Sequence, residues 1–185
     1  MGARDISLLS RAILGVLVEN PSSGYDIRRL FVSSPMGSFS DSPGAIYPAL
    51  ARLERGGLIR GRLQDRSGRR KKVFHLTAAG TAALQQWLNQ PITNDDVVRG
   101  LDGLMLRFSF MDQVLGEDSA VKFLTSFQQE LQIYIPTLRE YLNSHRGEMP
   151  RSGALALDSG IRGYETLLQW AKEAITSYET RANGR

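Results

Sequence analysis

The chain has 185 residues, contains no cysteine and carries a formal net charge of +4. This length suits one ordinary domain or two small ones, and the lack of cysteine excludes disulfides, thiolate nucleophiles and cysteine-ligated zinc. No stretch approaches the roughly 18 uncharged apolar residues of a membrane-spanning helix, and no basic segment followed by an apolar signal core opens the sequence. We therefore expect a cytoplasmic protein that does not enter a membrane.

The charge is unevenly distributed along the chain. Positions 1 to 88 hold 13 basic and 6 acidic residues, a charge of +7, whereas positions 89 to 185 hold 10 and 13, a charge of −3, and the two add to +4. A basic part joined to a slightly acidic part indicates a polyanion as the partner of the first. Charge alone does not distinguish DNA from RNA or an anionic lipid.

Few residues have the chemistry of a catalytic or metal site. The two histidines, His75 and His145, form no His-Glu-Xaa-Xaa-His pattern, and neither a phosphate-binding Gly-Xaa4-Gly-Lys loop nor a Gly-Xaa-Ser-Xaa-Gly elbow occurs. A lone histidine cannot build a metal site. We predict a protein that is not an enzyme and that has no metal site and no cofactor.

Two short helices are predicted near the N-terminus. Apolar residues recur at helical spacing from about Ile6 to Glu19, shortly before Pro21. Ser23 stands three residues before Asp26, which is the spacing of a capping box, so a second helix begins there. The apolar stripe of this second helix is predicted to be Ile27, Leu30 and Phe31.

A third helix is predicted after a turn in the Ser-, Gly- and Pro-rich segment from Ser33 to Ser42. Ser42 suits the N-cap and Pro43 the first helical position, and Gly56-Gly57 ends the helix. Pro48 forfeits a backbone bond, so we expect the helix to begin late or to kink there. The predicted inward face is Ile46, Leu50 and Leu53, and the predicted outer face is Ala45, Ala49, Arg52 and Arg55.

A β-hairpin is predicted next, with strands at Ile59–Leu63 and Val73–Leu76 around a loop from Gln64 to Lys72. The flexible Ser67-Gly68 pair lies within this basic loop, which suits contact with phosphates. The alternative is a solvated loop enriched in charge, but its position after three helices favours a wing. The cations of the loop are Arg66, Arg69, Arg70, Lys71 and Lys72.

A fourth helix is predicted to begin after Thr77 as its cap. Its buried stripe is Leu84, Trp87 and Leu88. His75 lies on the opposite strand face from its neighbours Phe74 and Leu76, which indicates a residue on the wing surface.

Six short motifs occur in a characteristic order over roughly residues 6–88. They are Ile13-Leu14-Gly15, Ser23-Gly24-Tyr25-Asp26-Ile27, Gly44-Ala45-Ile46-Tyr47-Pro48-Ala49-Leu50, Arg52-Leu53-Glu54, Gly57-Leu58-Ile59 and Leu76-Thr77-Ala78-Ala79-Gly80. In this order and spacing they resemble PadR-family regulators. The resemblance implies a winged helix-turn-helix whose third helix enters the major groove, with Tyr47 against the DNA backbone and the wing in the flanking groove.

The candidate DNA-binding residues follow from this resemblance and from the basic loop. Ala45 departs from the family, because many relatives have a polar side chain there, and alanine can offer a base only a methyl contact with thymine. For Tyr25 and Tyr47 the alternative is a structural role, with a packed ring and an exposed hydroxyl. The candidates are Ser42, Ala45, Tyr47, Arg52, Arg66, Arg69, Arg70, Lys71 and Lys72.

The C-terminal part is predicted to be a helical arm that begins near Pro91, which gives a DNA-binding domain at 1–90 and a dimerisation domain at 91–185. After a helix around Asp95–Leu115, two long helices are predicted at about Asp118–His145 and Ala154–Arg181. Their apolar residues alternate at steps of three and four, as in a heptad seam. The candidate dimerisation residues are Leu124, Phe127, Leu131, Tyr134, Leu138, Leu157, Ile161, Tyr164, Leu168 and Ile175.

A partner subunit is the predicted cover for these seams. Each helix is on the order of 40 Å long, which is too long for a small wing domain to cover. The arm also resembles the longer PadR subfamily, whose C-terminal helices cross between subunits. The alternative is a helical hairpin within one chain that uses the same seams.

The predicted fold is mainly α with a small β-hairpin: a winged helix-turn-helix followed by a long-helix C-terminal dimerisation domain. The predicted function is a sequence-specific transcriptional regulator, a repressor, that binds a pseudo-palindromic operator in double-stranded DNA as a homodimer. The alternative is a winged-helix interaction module that binds protein or RNA. The resemblance also implies a small hydrophobic or aromatic effector. The aromatic residues that could line its cavity are Trp87, Phe108, Phe123, Phe127 and Trp170. The alternative is that these rings belong to the hydrophobic core.

Overall fold

The computed structural model describes residues 6–34, 36, 42–66 and 69–183. The chain divides into two compact units, Met1–Gln90 and Pro91–Arg185. Within the described residues, none of the helices is long and apolar enough to cross a membrane.

The first unit is a winged helix-turn-helix. Its three strands are antiparallel in the order β1-β3-β2, so the predicted hairpin is present and a short strand is added to it. The elements are α1 (Leu8–Glu19), β1 (Ser22–Ser23), α2 (Gly24–Val32), α3 (Pro43–Arg55), β2 (Ile59–Arg66), β3 (Arg69–Leu76) and α4 (Ala78–Leu88).

The predicted helix caps are confirmed. Ser23 and Asp26 form a reciprocal capping box at the start of α2. The Ser42 hydroxyl accepts a hydrogen bond from the Gly44 N–H, and the Thr77 hydroxyl accepts one from the Gly80 N–H. Each cap satisfies a backbone donor that has no partner inside its helix, which fixes where the helix begins.

Helix α3 begins at Pro43, so the prediction that Pro48 delays its start is wrong. The Ser42 cap and a proline at the first helical position stabilise the first turn and outweigh the single bond that Pro48 removes. The helix ends at Arg55, and Gly57, whose φ of 71° is typical of glycine, lies two residues past its end. Two backbone bonds close this end, from Leu58 N to Leu53 O and from Gly57 N to Glu54 O, and they direct the chain into β2.

The core of the first unit lies where α1, α2, α3 and α4 pack. Leu30 was predicted to belong to it but is 39% exposed, because it lies at the edge of the stripe formed by Ile27 and Phe31. Burial of each aliphatic or aromatic side chain contributes roughly 1.5–3 kcal/mol. The core includes Ile13, Leu14, Ile27, Phe31, Ile46, Leu50, Leu53, Leu84 and Leu88, all at most 1% exposed.

The hairpin strands are longer than predicted. Most of the predicted loop from Gln64 to Lys72 is strand, since the register continues outward through Gln64 opposite Lys71 to Arg66 opposite Arg69. Antiparallel strands pair through their backbones, which does not require apolar side chains. Hydrophobic alternation therefore marks only the base of the wing. The segment predicted as a turn before α3 includes residues 35 and 37–41, which lie outside the described residues.

The second unit is helical. The single helix predicted around Asp95–Leu115 is wrong: the segment forms three short helices. Gly100 separates the first two, because its dihedrals of φ −121° and ψ 19° are not helical and glycine is a poor helix former, and Gly116, at a φ of 86°, ends the third. The elements are α5 (Asn94–Arg99), α6 (Leu101–Ser109), α7 (Met111–Leu115), α8 (Glu117–His145) and α9 (Arg151–Asn183).

Helices α8 and α9 pack on each other within one chain as an antiparallel hairpin. The rings of Tyr134 and Tyr164 meet edge to face with centroids 5.2 Å apart, and Arg181 pairs with Glu117 at the end far from the connecting turn. This is the arrangement of the alternative interpretation, in which the seams cover each other. Seam residues that the chain itself buries are Leu124, Phe127, Leu131 and Ile161.

Candidate nucleic-acid interface

One face of α3 is exposed and carries most of the predicted contact residues of that helix. Ser42 and Arg52 are exposed, Tyr47 is 48% exposed, and Ala45 is half-buried. Ala49, which was predicted for this face, is fully buried. It lies three positions after Ile46 and one before Leu50, so it falls within the inward stripe of a 3.6-residue helix.

The ring of Tyr47 is held in place by the start of α2. A Cβ built on Gly24 would come 2.6 Å from Tyr47 Cε1 and 3.1 Å from Leu50 Cδ1. Only glycine therefore leaves room for the ring at this place. Tyr25, the next residue, is 60% exposed, so little of its ring is packed.

In the part that the structure describes, the wing presents cations along its length. Arg70 is exposed, as the sequence predicted. The side chains of Arg66 and Arg69, together with residues 67 and 68, lie outside the part of the chain that the structure describes. Sequence reasoning missed Arg60 and Arg62, which are both exposed on β2. The alternation of Ile59, Gly61 and Leu63 with these arginines could have revealed them, since alternate strand residues share a face.

Lys71 and Lys72 do not extend freely from the wing. Lys71 Nζ lies 2.6 Å from Asp26 Oδ2, and Lys72 Nζ lies 2.7 Å from Glu54 Oε2. Asp26 is the carboxylate of the α2 capping box, and Glu54 lies in the last turn of α3. Each lysine side chain is 47% exposed, so these are surface ion pairs that tie the wing to the helices.

The two carboxylates are held in their charged form. The hydrogen bond from Lys71 lowers the pKa of Asp26, with a smaller lowering by the Ser23 hydroxyl and N–H, while partial burial opposes it. The hydrogen bond from Lys72 lowers the pKa of Glu54, and the N–H of Gly61 adds to this against the effect of burial. Both carboxylates are therefore ionised at neutral pH.

In the second unit, part of the predicted dimerisation seam still has exposed surface. Tyr134, Leu138 and Tyr164 are half-buried. Ile133 and Leu155, which the sequence did not assign to the seam, are 62% and 59% exposed. The half-buried residues of α9 are Leu157, Tyr164, Leu168 and Ile175.

The rings predicted to line an effector cavity do not form one group. Phe108 stacks on Phe123 with centroids 5.8 Å apart and meets Trp170 edge to face at 5.4 Å. Phe127 is fully buried. Trp87 belongs to the first unit, where Arg11 lies over its ring. Direct ring-to-ring packing is the core arrangement that the sequence left open as the alternative.

Comparisons with known proteins converge on one kind of regulator. Residues 13–86 match the family model of the Transcriptional regulator PadR-like family. The negative transcriptional regulator PadR of Bacillus subtilis is 29% identical over 175 residues, covering 92% of this chain and 91% of the relative. The crystal structure of Bacillus subtilis PadR in complex with operator DNA is 25% identical in sequence and has a TM-score of 0.43. The match covers 93% of this chain and 99% of the PadR chain. The same regulator solved with p-coumaric acid is 24% identical, with coverages of 95% and 97% and a TM-score of 0.41.

Proposed function

The chain belongs to the PadR-like family of transcriptional regulators, and on this basis we propose that it is a repressor that binds operator DNA sequence-specifically as a homodimer. The observation that carries the proposal is the first unit, in which an exposed face of α3 with Tyr47 and Arg52 leads into a basic hairpin. The name of the Bacillus subtilis relative, a negative regulator, supports repression.

We assign the contacts by element. An α-helix fits the major groove, so α3 reads the bases there, with Arg52 as the donor of longest reach and the Ala45 methyl facing thymine. Tyr47 and Ser42 supply hydroxyl groups for phosphates. The wing arginines contact the flanking backbone: Arg60, Arg62, Arg66, Arg69 and Arg70.

The competing function is an interaction module that binds protein or RNA. Binding of the full chain to a labelled duplex, to random duplex and to an RNA hairpin, measured by fluorescence anisotropy over a range of salt, separates the two. A DNA reader loses affinity steeply with salt, with a logarithmic slope of about −5 for six phosphate contacts, and prefers one duplex over random DNA. A flat salt response, or stronger binding to RNA, contradicts the proposal.

The homodimer follows from the demands of operator binding. One recognition helix gives limited affinity, whereas a twofold pair reads two half-sites. The exposed parts of Ile133 and Leu155, beside the half-buried seam of α9, offer apolar surface for a second copy. Light scattering of the full chain should give twice its mass of 20.5 kDa. A monomer at micromolar concentration contradicts this part of the proposal.

A small aromatic or hydrophobic effector completes the proposal. We assign it to the second unit, beside the half-buried rings of Phe108 and Trp170, which pack next to the buried Phe123. Titration of the protein–DNA complex with p-coumaric acid, the molecule bound in one solved relative, is the first test. Release of DNA together with a change in Trp170 fluorescence supports an effector of this class, and no response to p-coumaric acid or to related phenolic acids contradicts it.

A further inference from the structure

One carboxylate in the last turn of α3 holds both strands of the wing. Glu54 Oε1 accepts a hydrogen bond of 3.0 Å from the N–H of Gly61 on β2, and Glu54 Oε2 pairs with Lys72 Nζ on β3 at 2.7 Å. Strand β2 is the edge of the sheet, so the Gly61 N–H finds its acceptor on the helix rather than on another strand. We call Glu54, Gly61 and Lys72 the Glu54 clamp.

The clamp closes because position 61 has no side chain. A Cβ built on Gly61 would lie 2.1 Å from Lys72 Cε and 2.8 Å from Glu54 Oε1. Lys72 also places its ammonium group 5.2 Å from the centre of the Phe74 ring, which holds the lysine over the same face of the hairpin. A larger residue at position 61 must shift the Lys72 side chain and the Glu54 carboxylate from these positions.

A second tie holds the wing from the other side. Lys71 and Lys72 are consecutive on β3, so their side chains leave opposite faces of the hairpin. Lys71 pairs with Asp26 on α2, whereas Lys72 pairs with Glu54 on α3. The hairpin is thereby fixed between the two helices of the helix-turn-helix.

We infer that Glu54 is a positioning residue that, through Gly61 and Lys72, sets the angle of the wing to α3 so that both reach the DNA together. The inference rests on the proposed function. In this inference Lys72 orients the wing and does not contact a phosphate. Lys71, which pairs with Asp26, is assigned the same role. A surface ion pair contributes little to overall stability, so the effect is on orientation.

The charge of Glu54 makes the inference testable by the sign of an effect. Replacement of Glu54 by Gln removes a negative charge from the surface proposed to meet phosphates, and electrostatics alone then predicts tighter binding. A loosened wing predicts weaker binding. Replacement of Lys72 by Gln distinguishes a phosphate contact from a positioning role. The loss of a phosphate contact lowers the salt slope by about one, whereas the loss of the clamp leaves the salt slope unchanged.

The experiment measures binding of the full chain to a duplex selected by the wild type from a random pool, with the variants Glu54→Gln, Lys72→Gln, Gly61→Ala and the double variant Glu54→Gln/Lys72→Gln. Each single variant should weaken binding by about three- to tenfold at an unchanged salt slope, and the double variant should be no weaker than the singles, because all open one clamp. Glu19→Gln, an equal charge change on α1, is the matched control and should not weaken binding.

Amide hydrogen exchange at Gly61 supplies a readout that needs no DNA. It should be faster in Glu54→Ala than in the wild type, because alanine, unlike glutamine, leaves no acceptor for the Gly61 N–H, and equal exchange overturns the clamp. Tighter binding by Glu54→Gln, with a salt slope lowered by about one in Lys72→Gln, overturns the positioning role and makes Lys72 a phosphate contact. If the wild type prefers no duplex, the proposed function fails, and the positioning role in DNA binding fails with it even where exchange supports the clamp.

Discussion

The ring of Tyr47 lies against the backbone of Gly24, so closely that a Cβ on Gly24 would stand 2.6 Å from Tyr47 Cε1. Two sequence motifs that lie more than twenty positions apart therefore form one structural unit. The capping box of Ser23 and Asp26 fixes where α2 begins, and that start supports the tyrosine of the recognition helix.

Replacement of Gly24 by Ala should displace the Tyr47 ring while leaving α2 helical, because the backbone at Gly24 suits any residue. Overpacking of this kind costs about 1–3 kcal/mol, part of which the ring relieves by moving outward. We expect a lower free energy of unfolding in urea, and weaker binding to the selected duplex. Gly153→Ala in α9, where the added methyl group meets only Pro150 Cδ at 4.0 Å, is the matched control. Unchanged DNA affinity in Gly24→Ala would show that the position of Tyr47 does not matter for binding.

Replacement of Arg69 and Arg70 by Ala should weaken binding to all duplexes nearly equally. Each phosphate contact releases roughly one counterion, so the salt slope should fall by about one or two units. Anisotropy titrations at four salt concentrations, on the selected and a random duplex, measure both effects. If only the selected duplex loses affinity, the wing reads bases and the assignment of Arg69 and Arg70 to the backbone is wrong.

The carboxylates that tie the wing predict an acid-sensitive step. The pKa values of Asp26 and Glu54 are lower in the folded protein than in the unfolded chain. Their stabilisation is therefore present above the ordinary carboxyl range, about pH 4, and is lost as the pH falls through the lowered values. The difference in unfolding free energy between the wild type and Asp26→Asn or Glu54→Gln should shrink as the pH falls below the ordinary carboxyl range. A difference that is constant with pH contradicts this, and Glu19→Gln serves as the control.

The C-terminal unit should instead lose stability in alkali. The Tyr178 hydroxyl lies 2.9 Å from both oxygens of Asp112 and donates one hydrogen bond shared between them, and burial together with this carboxylate raises the pKa of Tyr178 to about 12. A raised pKa means that the stabilisation is complete below about pH 10, the value for an unfolded tyrosine, and is lost as the pH rises through about 12. Tyrosinate absorbance of the wild type minus that of Tyr178→Phe should titrate near 12. A difference that titrates near 10 shows that the hydroxyl is free in solution.

Signals from neighbouring residues in the sequence were sufficient to predict the N-caps of α2, α3 and α4 and the presence of α3. Ser23, Ser42 and Thr77 each precede a helix whose start is set by a hydrogen bond within three residues, so neighbouring residues decide the outcome. The helical period predicted three buried residues of α3, Ile46, Leu50 and Leu53, but the prediction placed the buried Ala49 on the outer face.

Features that depend on distant residues were not predictable in this way. Strand β1 has only two residues and exists because Ser22 and Ser23 pair with Phe74 and Val73, about fifty positions later. The pairs of Lys71 and Lys72 likewise join residues that are far apart in sequence. The sequence alone does not show which cations of the predicted hairpin loop form ion pairs with other elements.

The seams of α8 and α9 illustrate a genuine ambiguity. A stripe of Leu124, Phe127 and Leu131 must be covered, but its spacing is the same whether the cover is a second subunit or the neighbouring helix. Here the same chain supplies it. Sequence periodicity predicted the residues along the seam, of which Leu124, Phe127, Leu131 and Ile161 are buried and the other six are half-buried, and it could not identify the partner helix.

Selection of duplexes from a random pool by the full chain tests the central claim most directly, because it examines DNA binding, specificity and twofold symmetry at once. The account predicts an inverted repeat whose half-site centres lie about one helical turn, roughly 10 base pairs, or a near multiple of it apart. Each half-site should contain only a few strongly preferred bases, since Ala45 offers no hydrogen bond and Ala49 is buried, with some preference between half-sites from DNA shape. A direct repeat or a single uninterrupted site would contradict the dimer, and a pool with no enriched sequence would contradict sequence-specific DNA binding itself.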